Sequence, residues 1–310
     1  MIALALNVLE TEAAIYYEEF MELFIQLTLT GLTNGAILAL AALGFVLIYK
    51  SSDVINFAQG EFLLVGAYLT FSMVAEVGLA WSLGVVVTLL LSIVLGVLVE
   101  RFVLRPLIGE PIISVIMITI GLSSVMRAIV NAIWGTTGKP FPPFIPSQPV
   151  QILGATVGAD RLWGIAIAIL LLGVFTVFFR RSKEGIAMRA VADDQQAALS
   201  MGISVKKIFA WSWSIAAVTA AIAGGLVANI VGVSGELASF GLRVFPVVIL
   251  GGLDSIPGAI IGGVIIGLLE TYTGGYIGQG LNQVLPFIVL ILILMVRPYG
   301  LFGQEIIERV

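Results

Sequence analysis

The chain has 310 residues, 59% of them hydrophobic and only 11% charged, against about 25% charged in a soluble domain. With a mean hydropathy of +1.11 it cannot face water all round, so it reads as one polytopic membrane domain with no room for a separate soluble enzyme domain. Its net charge of −4 says little about orientation, but the absence of Cys and His excludes disulfides, thiolate or imidazole metal sites and the commonest general base.

The first 22 residues contain Glu10, Glu12, Glu18, Glu19 and Glu22 and no basic n-region, so they do not read as a secretory signal. Residues 1–22 are expected to form a short amphipathic or frayed extension. A first span is expected over Leu23–Ile48, with Gly31, Thr33, Asn34 and Gly35 making its middle polar. A dense polar segment, Tyr49 to Glu61, precedes a second apolar run from Phe62 to about Val74. The third and fourth spans cover about Leu79–Leu98 and Ile112–Trp134, with Glu100, Arg101 and Arg105 between them. Gly135–Asp160 carries five prolines and reads as a loop.

The fifth span is Leu162–Phe179. After it comes the one long polar interruption, Arg180–Lys207, which carries six of the fifteen Lys and Arg residues. Within it, Asp193–Gly202 has carboxylates first, then Gln-Gln-Ala-Ala-Leu-Ser-Met, then Gly, the composition of a short helix with its termini. Ala197, Ala198 and Gly202 make a small, flat surface suited to a partner's groove, at low cost in desolvated side chains. The sixth span is Ile208–Val231. Two short segments follow, Val244–Gly252 and Gly258–Leu269, broken by Leu253-Asp254-Ser255-Ile256-Pro257; the first is shorter than the ~20 residues a full crossing needs. Irregular backbone of this kind is tolerated where protein or water surrounds it. A last span, Leu281–Val296, ends at Arg297. The fold expected is thus all-α, with eight or nine transmembrane segments, at least one of them broken or short. Residues 23–303 form the membrane domain, and 304–310 a cytoplasmic tail. Placing Lys50, Arg101, Arg105, 180–207 and Arg297 inside puts the N-terminus out and the C-terminus in.

Few residues in the spans are suited to chemistry. Gly135-Thr-Thr-Gly-Lys139-Pro140 has the wrong spacing for a phosphate loop and follows no strand, so it reads as an external loop. Gly258, Gly262, Gly263 and Gly267 form offset GxxxG patterns that read as helix packing. Arg127 is expected to snorkel outward and Arg243 to anchor its segment. Glu61, with Asp53, Asn56 and Gln59, either lines a polar cavity or caps helices. Without His or Cys, no carboxylate pair or Ser-Lys dyad has the spacing of an intramembrane enzyme. An ion-coupled carrier or channel would require more ionisable residues along its path than the spans offer. No basic patch suits nucleic acid.

Several long blocks, in order, carry a resemblance: Gly31-Leu-Thr-Asn-Gly-Ala36 through Gly44-Phe-Val-Leu-Ile-Tyr49, Val54-Ile-Asn-Phe-Ala-Gln-Gly-Glu-Phe62, Glu184-Gly-Ile-Ala-Met-Arg-Ala190, Ala197-Ala-Leu-Ser-Met-Gly-Ile203, Gly251-Gly-Leu-Asp-Ser-Ile-Pro-Gly258 and Arg297-Pro-Tyr-Gly-Leu-Phe-Gly303. From about Leu23 to Gly303 the chain resembles the permease subunits of branched-chain amino acid ABC importers, the LivH-like branch. The resemblance implies an inner-membrane subunit of a prokaryote. Its implied partners are a second homologous permease, two ATP-binding-cassette ATPases and a periplasmic or lipid-anchored binding protein. This chain itself would bind no cofactor or metal, ATP and Mg being held by the partner ATPases.

The resemblance also implies that Asp193, Asp194, Ala197, Ala198, Gly202 and Ile203 form the helix that couples to the ATPase. The acidic residue usual just before Ala-Ala is replaced by Gln195-Gln196. Asn34, Asn56, Gln59, Glu61 and Asp254 are the candidates for the translocation path. Urea, short-chain amide and other neutral amino acid importers use closely similar permeases, so the family leaves the substrate open.

Overall fold

The structure, a computed structural model, describes residues 2–108 and 110–303, with side chains from Tyr16 onward. The tail expected at 304–310 lies outside the described residues. Six helices are long and apolar enough to cross a membrane, and the shorter apolar stretches Leu237–Gly251 and Leu285–Val296 join them. With the short helix Gln59–Phe71 these make nine segments among the described residues.

Helix α1 (Ile2–Ser52) is the central pillar and runs unbroken through the expected extension. From Gly35 to Ile48 it is buried on every side, as expected of a helix that is apolar all round. It packs against α11 (Ile256–Tyr272), α8 (Val205–Val231) and α5 (Ala159–Arg181). Lipid is as apolar as leucine, so helices associate in it by close packing rather than by hydrophobic burial. The glycines supply that packing. A Cβ on Gly35 would sit 2.7 Å from the Gly263 carbonyl oxygen, and one on Gly263 would sit 2.7 Å from that of Gly35. Gly262 instead meets the Val247 carbonyl of α10 (Val244–Gly251). The two offset GxxxG rows therefore serve two different neighbours.

Helix α2 (Gln59–Phe71) has only 13 residues, about 20 Å. The non-helical stretch before it reaches Thr119, which lies about 10 Å along α4 (Ile112–Trp134). The Thr119 hydroxyl accepts from the Phe57 N–H at 3.3 Å and lies 3.3 Å from the Ile55 carbonyl. Helix α2 thus begins inside the bundle, below the end of α1. At its far end a π turn, Ser72–Glu76, leads to α3 (Trp81–Val99).

The proline-rich loop is more ordered than its composition predicts. It contains an antiparallel hairpin, β1 (Pro149–Ile152) and β2 (Ala155–Gly158), turning at Leu153 and Gly154, both at positive φ. The loop is pinned to α8 by Asn229, whose Oδ1 accepts from Phe144 N–H and Ile145 N–H. Lys139 pairs with Glu76 at 3.2 Å and bridges to Val233, which accounts for it without any phosphate. Hydrogen bonds from Ser72 and Lys139 hold the Glu76 carboxyl below its ordinary range.

The basic stretch expected to carry one helix over Asp193–Gly202 carries two. Asp193 is the last residue of α6 (Lys183–Asp193), and Asp194 caps the next, α7 (Gln195–Ser200). A carboxylate that takes two backbone N–H groups starts a helix, so the boundary falls between the two aspartates.

After α9 (Leu237–Leu242) comes α10, only eight residues long. The segment expected at Gly258–Leu269 is instead full length: α11 extends through a π turn to Ile277. The last helix, α12 (Leu285–Val296), begins four residues later than expected because Leu281–Val284 are turns, with Pro286 in its first turn. The chain then folds back onto α10: Leu301 N–H donates to the Leu250 carbonyl at 2.8 Å and Phe302 N–H to that of Gly251 at 3.0 Å. These carbonyls end a helix and would otherwise have no partner.

Two ion pairs tie the frame. Arg105 grips buried Glu100 through both carboxylate oxygens, at 3.0 and 2.7 Å. Arg127, expected to point outward, instead meets Glu61 at 2.6 Å, because α2 places a buried carboxylate beside α4.

Replacing Gly35 with Val should force α1 and α11 apart and lower the melting temperature of the detergent-purified protein by several degrees. Gly173→Ala, whose added Cβ meets nothing within 4 Å, should leave it unchanged. Equal melting temperatures for the two variants would show that the glycine contact does not hold the pair. Glu61→Gln and Arg127→Gln should each destabilise, and the double variant should lose less than their sum by on the order of 1 kcal/mol. Strict additivity would mean the pair has no net coupling.

Candidate functional site

The interruption between α5 and α8 projects from one face of the bundle, here the basic face. The opposite face carries the β-hairpin. On the basic face, Asp194 Oδ1 accepts from the N–H groups of Gln196 and Ala197 at 2.8 and 2.9 Å and so opens α7. At the other end Gly202, at φ +83°, closes it: Gly202 N–H donates to Leu199 and Ile203 N–H to Ala198, both at 2.9 Å. This pair of bonds is the Schellman ending, which requires a left-handed residue where Gly202 stands. Both ends of α7 are thus satisfied from within its own ten residues. Ala198 turns inward and is buried, whereas Ala197 and Gly202 are exposed and Ile203 is half-buried. Leu199 is 56% and Met201 83% exposed. Neither was singled out by the sequence reading, although two apolar residues within a polar stretch are the signal that would have found them.

At the end of α6 lies a cavity of about 290 Å³, whose lining includes the polar residues Lys50, Asp53, Asp193, Asp254 and Tyr299. Asp193 and Asp254 therefore share one wall space although α6 and the α10–α11 turn are far apart in sequence. Lys50 Nζ donates to the Asp254 backbone carbonyl at 3.3 Å. Asp53 ends α1 at φ +54°, a conformation that Asp tolerates better than most residues. Burial pushes its carboxyl above the ordinary range. A second cavity, about 200 Å³, reaches from Gln195 past Asp53 and Ile55 to Trp213. Asp53 borders both.

Asn56 and Gln59, singled out with Asn34 for the path, are fully buried and paired with the protein itself. Asn56 Nδ2 donates to Gln59 Oε1 at 3.1 Å, and Asn56 Oδ1 accepts from Ala58 N–H at 3.0 Å. Gln59 Nε2 donates to the Ala41 carbonyl at 3.1 Å. Asn56 thus satisfies one N–H of the unwound stretch between α1 and α2, and Gln59 ties it to the middle of α1. Glu61 is likewise buried, against Arg127.

Asn34 stands apart from them. It lines the largest polar cavity described, about 610 Å³, with Ser234, Glu236, Ser239, Arg243 and Gln283. Val231 and Ser234 place this cavity toward the hairpin end of α8. Asn34 Nδ2 lies 3.4 Å from Thr271 Oγ1. Beside it, Arg243 pairs with Glu270 at 3.4 Å and lies over the Phe240 ring. The cavity's charged residues were missed as a group. Glu236, Ser239, Phe240 and Arg243 recur at i, i+3, i+4 and i+7, a one-face helical spacing hidden by the shortness of the segment. Among the described residues no cluster of three acidic side chains is suited to a metal.

A multi-pass helical frame with a self-contained helix on one face and an open polar cavity toward the other is the setting in which the chain's relatives are informative. The family model of the branched-chain amino acid transport system permease component matches residues 27–294. The high-affinity branched-chain amino acid transport system permease protein LivH of Escherichia coli K12 is 31% identical, with 94% of this chain and 99% of the relative aligned. BraD of Pseudomonas aeruginosa, named likewise, is 31% identical over 93% of this chain and 98% of its own length. The probable LivH permease of Methanocaldococcus jannaschii is 30% identical over 87% and 89%. No solved structure matches. With the family model covering most of its length and relatives of this identity aligned nearly end to end, the chain belongs to the branched-chain amino acid transport permease family.

Proposed function

We propose that this chain is the permease subunit of an ATP-driven importer and forms half of a path for branched-chain amino acids. The observation that carries the reading is α7: a helix closed at both ends by its own residues that holds Leu199 and Met201 in the open. Such a unit keeps its shape when pushed and offers apolar contact to a soluble partner. In this reading the basic face is cytoplasmic, by the positive-inside rule, which puts the N-terminus out and the C-terminus in. Two ATPase subunits, holding ATP and Mg, dock on α7. A second permease completes the path, and a binding protein delivers substrate to the hairpin face. The chain itself binds no cofactor.

Residues 193–203 then divide by task. Asp194 and Gly202 fix the ends of α7, Ala198 and Ile203 set it on the bundle, and Leu199, Met201 and Ala197 meet the ATPase. Asp193 and Gln195 border the two cavities that reach Asp53 and the unwound stretch before α2. A push on α7 is passed to that stretch, where helix geometry is already interrupted, and to α8, which is capped by Ser204 and ends at the polar cavity. Asn34 and Asp254 line opposite openings of the route, while Asn56, Gln59 and Glu61 hold the backbone between them.

Vesicles carrying the complete transporter should take up radiolabelled leucine only with internal ATP, and isoleucine and valine should compete. ATP-dependent uptake of urea alone would keep the architecture and change the substrate. Uptake that ignores ATP and follows an ion gradient would overturn the reading. Met201→Asp should leave the chain inserted and paired but reduce both substrate-stimulated ATPase activity and uptake about tenfold or more. Gly202→Val should act in the same direction through strain of about 1–2 kcal/mol at the left-handed position, since no neighbour occupies the space around it. Normal coupled activity in both variants would remove α7 from the coupling role.

A further inference from the structure

We propose that the polar cavity at the hairpin face is a receiving site for a zwitterionic amino acid, with Arg243 taking the carboxylate and Glu236 the ammonium group. This rests on the transport reading and deepens it.

The first argument is the contrast between two arginines. Arg105 is locked on Glu100 through two hydrogen bonds, the longer 3.0 Å. Arg243 is held by buried Glu270 through a single contact of 3.4 Å, beyond the ~2.7–2.9 Å of a tight charge-assisted bond. A guanidinium has five N–H donors in a planar fork that matches a carboxylate. Among the described residues this one contact is the only side-chain hydrogen bond Arg243 makes. Its remaining donors belong to a side chain that lines the cavity. Glu270 and the Phe240 face hold the cation in place without using up its fork.

The second argument is the layout of the wall. Glu236, Ser239, Phe240 and Arg243 lie along one face of the α9 segment, with opposite charges at its two ends. About 10 Å of helix rise separates the terminal pair, and two long side chains narrow that gap to the size of a small molecule. Asn34, Ser239 and Gln283 supply uncharged donors and acceptors, and Ile37, Val227, Ile230, Leu237 and Phe240 supply an apolar wall for a hydrocarbon side chain. Glu236 and Ser239 are exposed, so the wall is open to an arriving solute. A cavity built only for water transit would not need an arginine held by one long bond beside a carboxylate at its mouth.

The chain contains no cysteine, so Ser239→Cys introduces the only thiol on this subunit, and the same labelling of the transporter without that substitution gives the background of the other subunits. In the assembled transporter carrying Ser239→Cys, a sulfonate-bearing thiosulfonate reagent should react several-fold faster with Arg243 present than with Arg243→Gln. Millimolar leucine should slow the reaction, and leucinamide, which lacks the carboxylate, should not. In transport, Arg243→Gln should cut leucine uptake about tenfold while ATPase stimulation by the loaded binding protein stays within about twofold, and Arg243→Lys should recover part of the uptake. Reaction rates indifferent to Arg243 and to leucine, or normal uptake by Arg243→Gln, would overturn the proposal. The thiol measurement needs no turnover: if wild-type uptake proves independent of ATP, the transport reading fails while the carboxylate site is still judged on its own.

Discussion

Inside a bilayer every backbone N–H and C=O must find a partner within the protein, and this constraint decides where the fold can bend. Two stretches here leave the helix: Asp53–Ala58 before α2, and the Gly252–Ser255 turn between α10 and α11. Each is provided for. Thr119 reaches in from α4, Asn56 and Gln59 bond to one another and to the backbone, and Ser255 caps α11 through the Gly258 N–H. The C-terminal residues close the end of α10. Two of the polar side chains that looked functional in the sequence, Asn56 and Gln59, are occupied with this task. The frame can hold irregular backbone at these two points because those residues are committed to it.

What they leave free lies at the two ends of α8. That helix starts at Val205, just past α7, and its last turns line the polar cavity. Along its length it touches its neighbours at backbone distance: a Cβ on Gly44 would sit 2.8 Å from the Ala216 Cα, and one on Gly96 would sit 2.7 Å from the Ser214 Cα. With so little side chain between them, α1, α3 and α8 have no room to slide independently. In the proposed mechanism a displacement at α7 therefore arrives at the cavity as movement of a rigid group, not as a local repacking.

The membrane class, a count of eight or nine segments and the break around Asp254 were legible in the sequence, because apolar length and proline or glycine punctuation are local signals. The terminus of α7 at Gly202 was legible for the same reason. Contacts between distant residues were not: nothing in the local pattern of Glu61 points to Arg127, 66 positions away, or of Arg243 to Glu270. The hairpin within the proline-rich loop was hidden because Leu153 at positive φ is a poor turn signal. The split at Asp194 was hidden because two adjacent aspartates are equally good caps, and only the fold selects one. The cavity was the least legible feature, since its lining is drawn from α1, α8, α9 and the turn before α12.

The return of Leu301 and Phe302 onto α10 has a bearing on how the protein is made. The carbonyls of Leu250 and Gly251 enter the membrane some fifty residues before the chain that pairs with them is synthesised. Until Leu301 and Phe302 leave the ribosome, the end of α10 stands open, and the cavity lined by Asp254 and Tyr299 lacks part of its wall. Closure of the domain therefore waits on its last fifty residues, and a chain cut before Leu301 would leave the end of α10 without its partners.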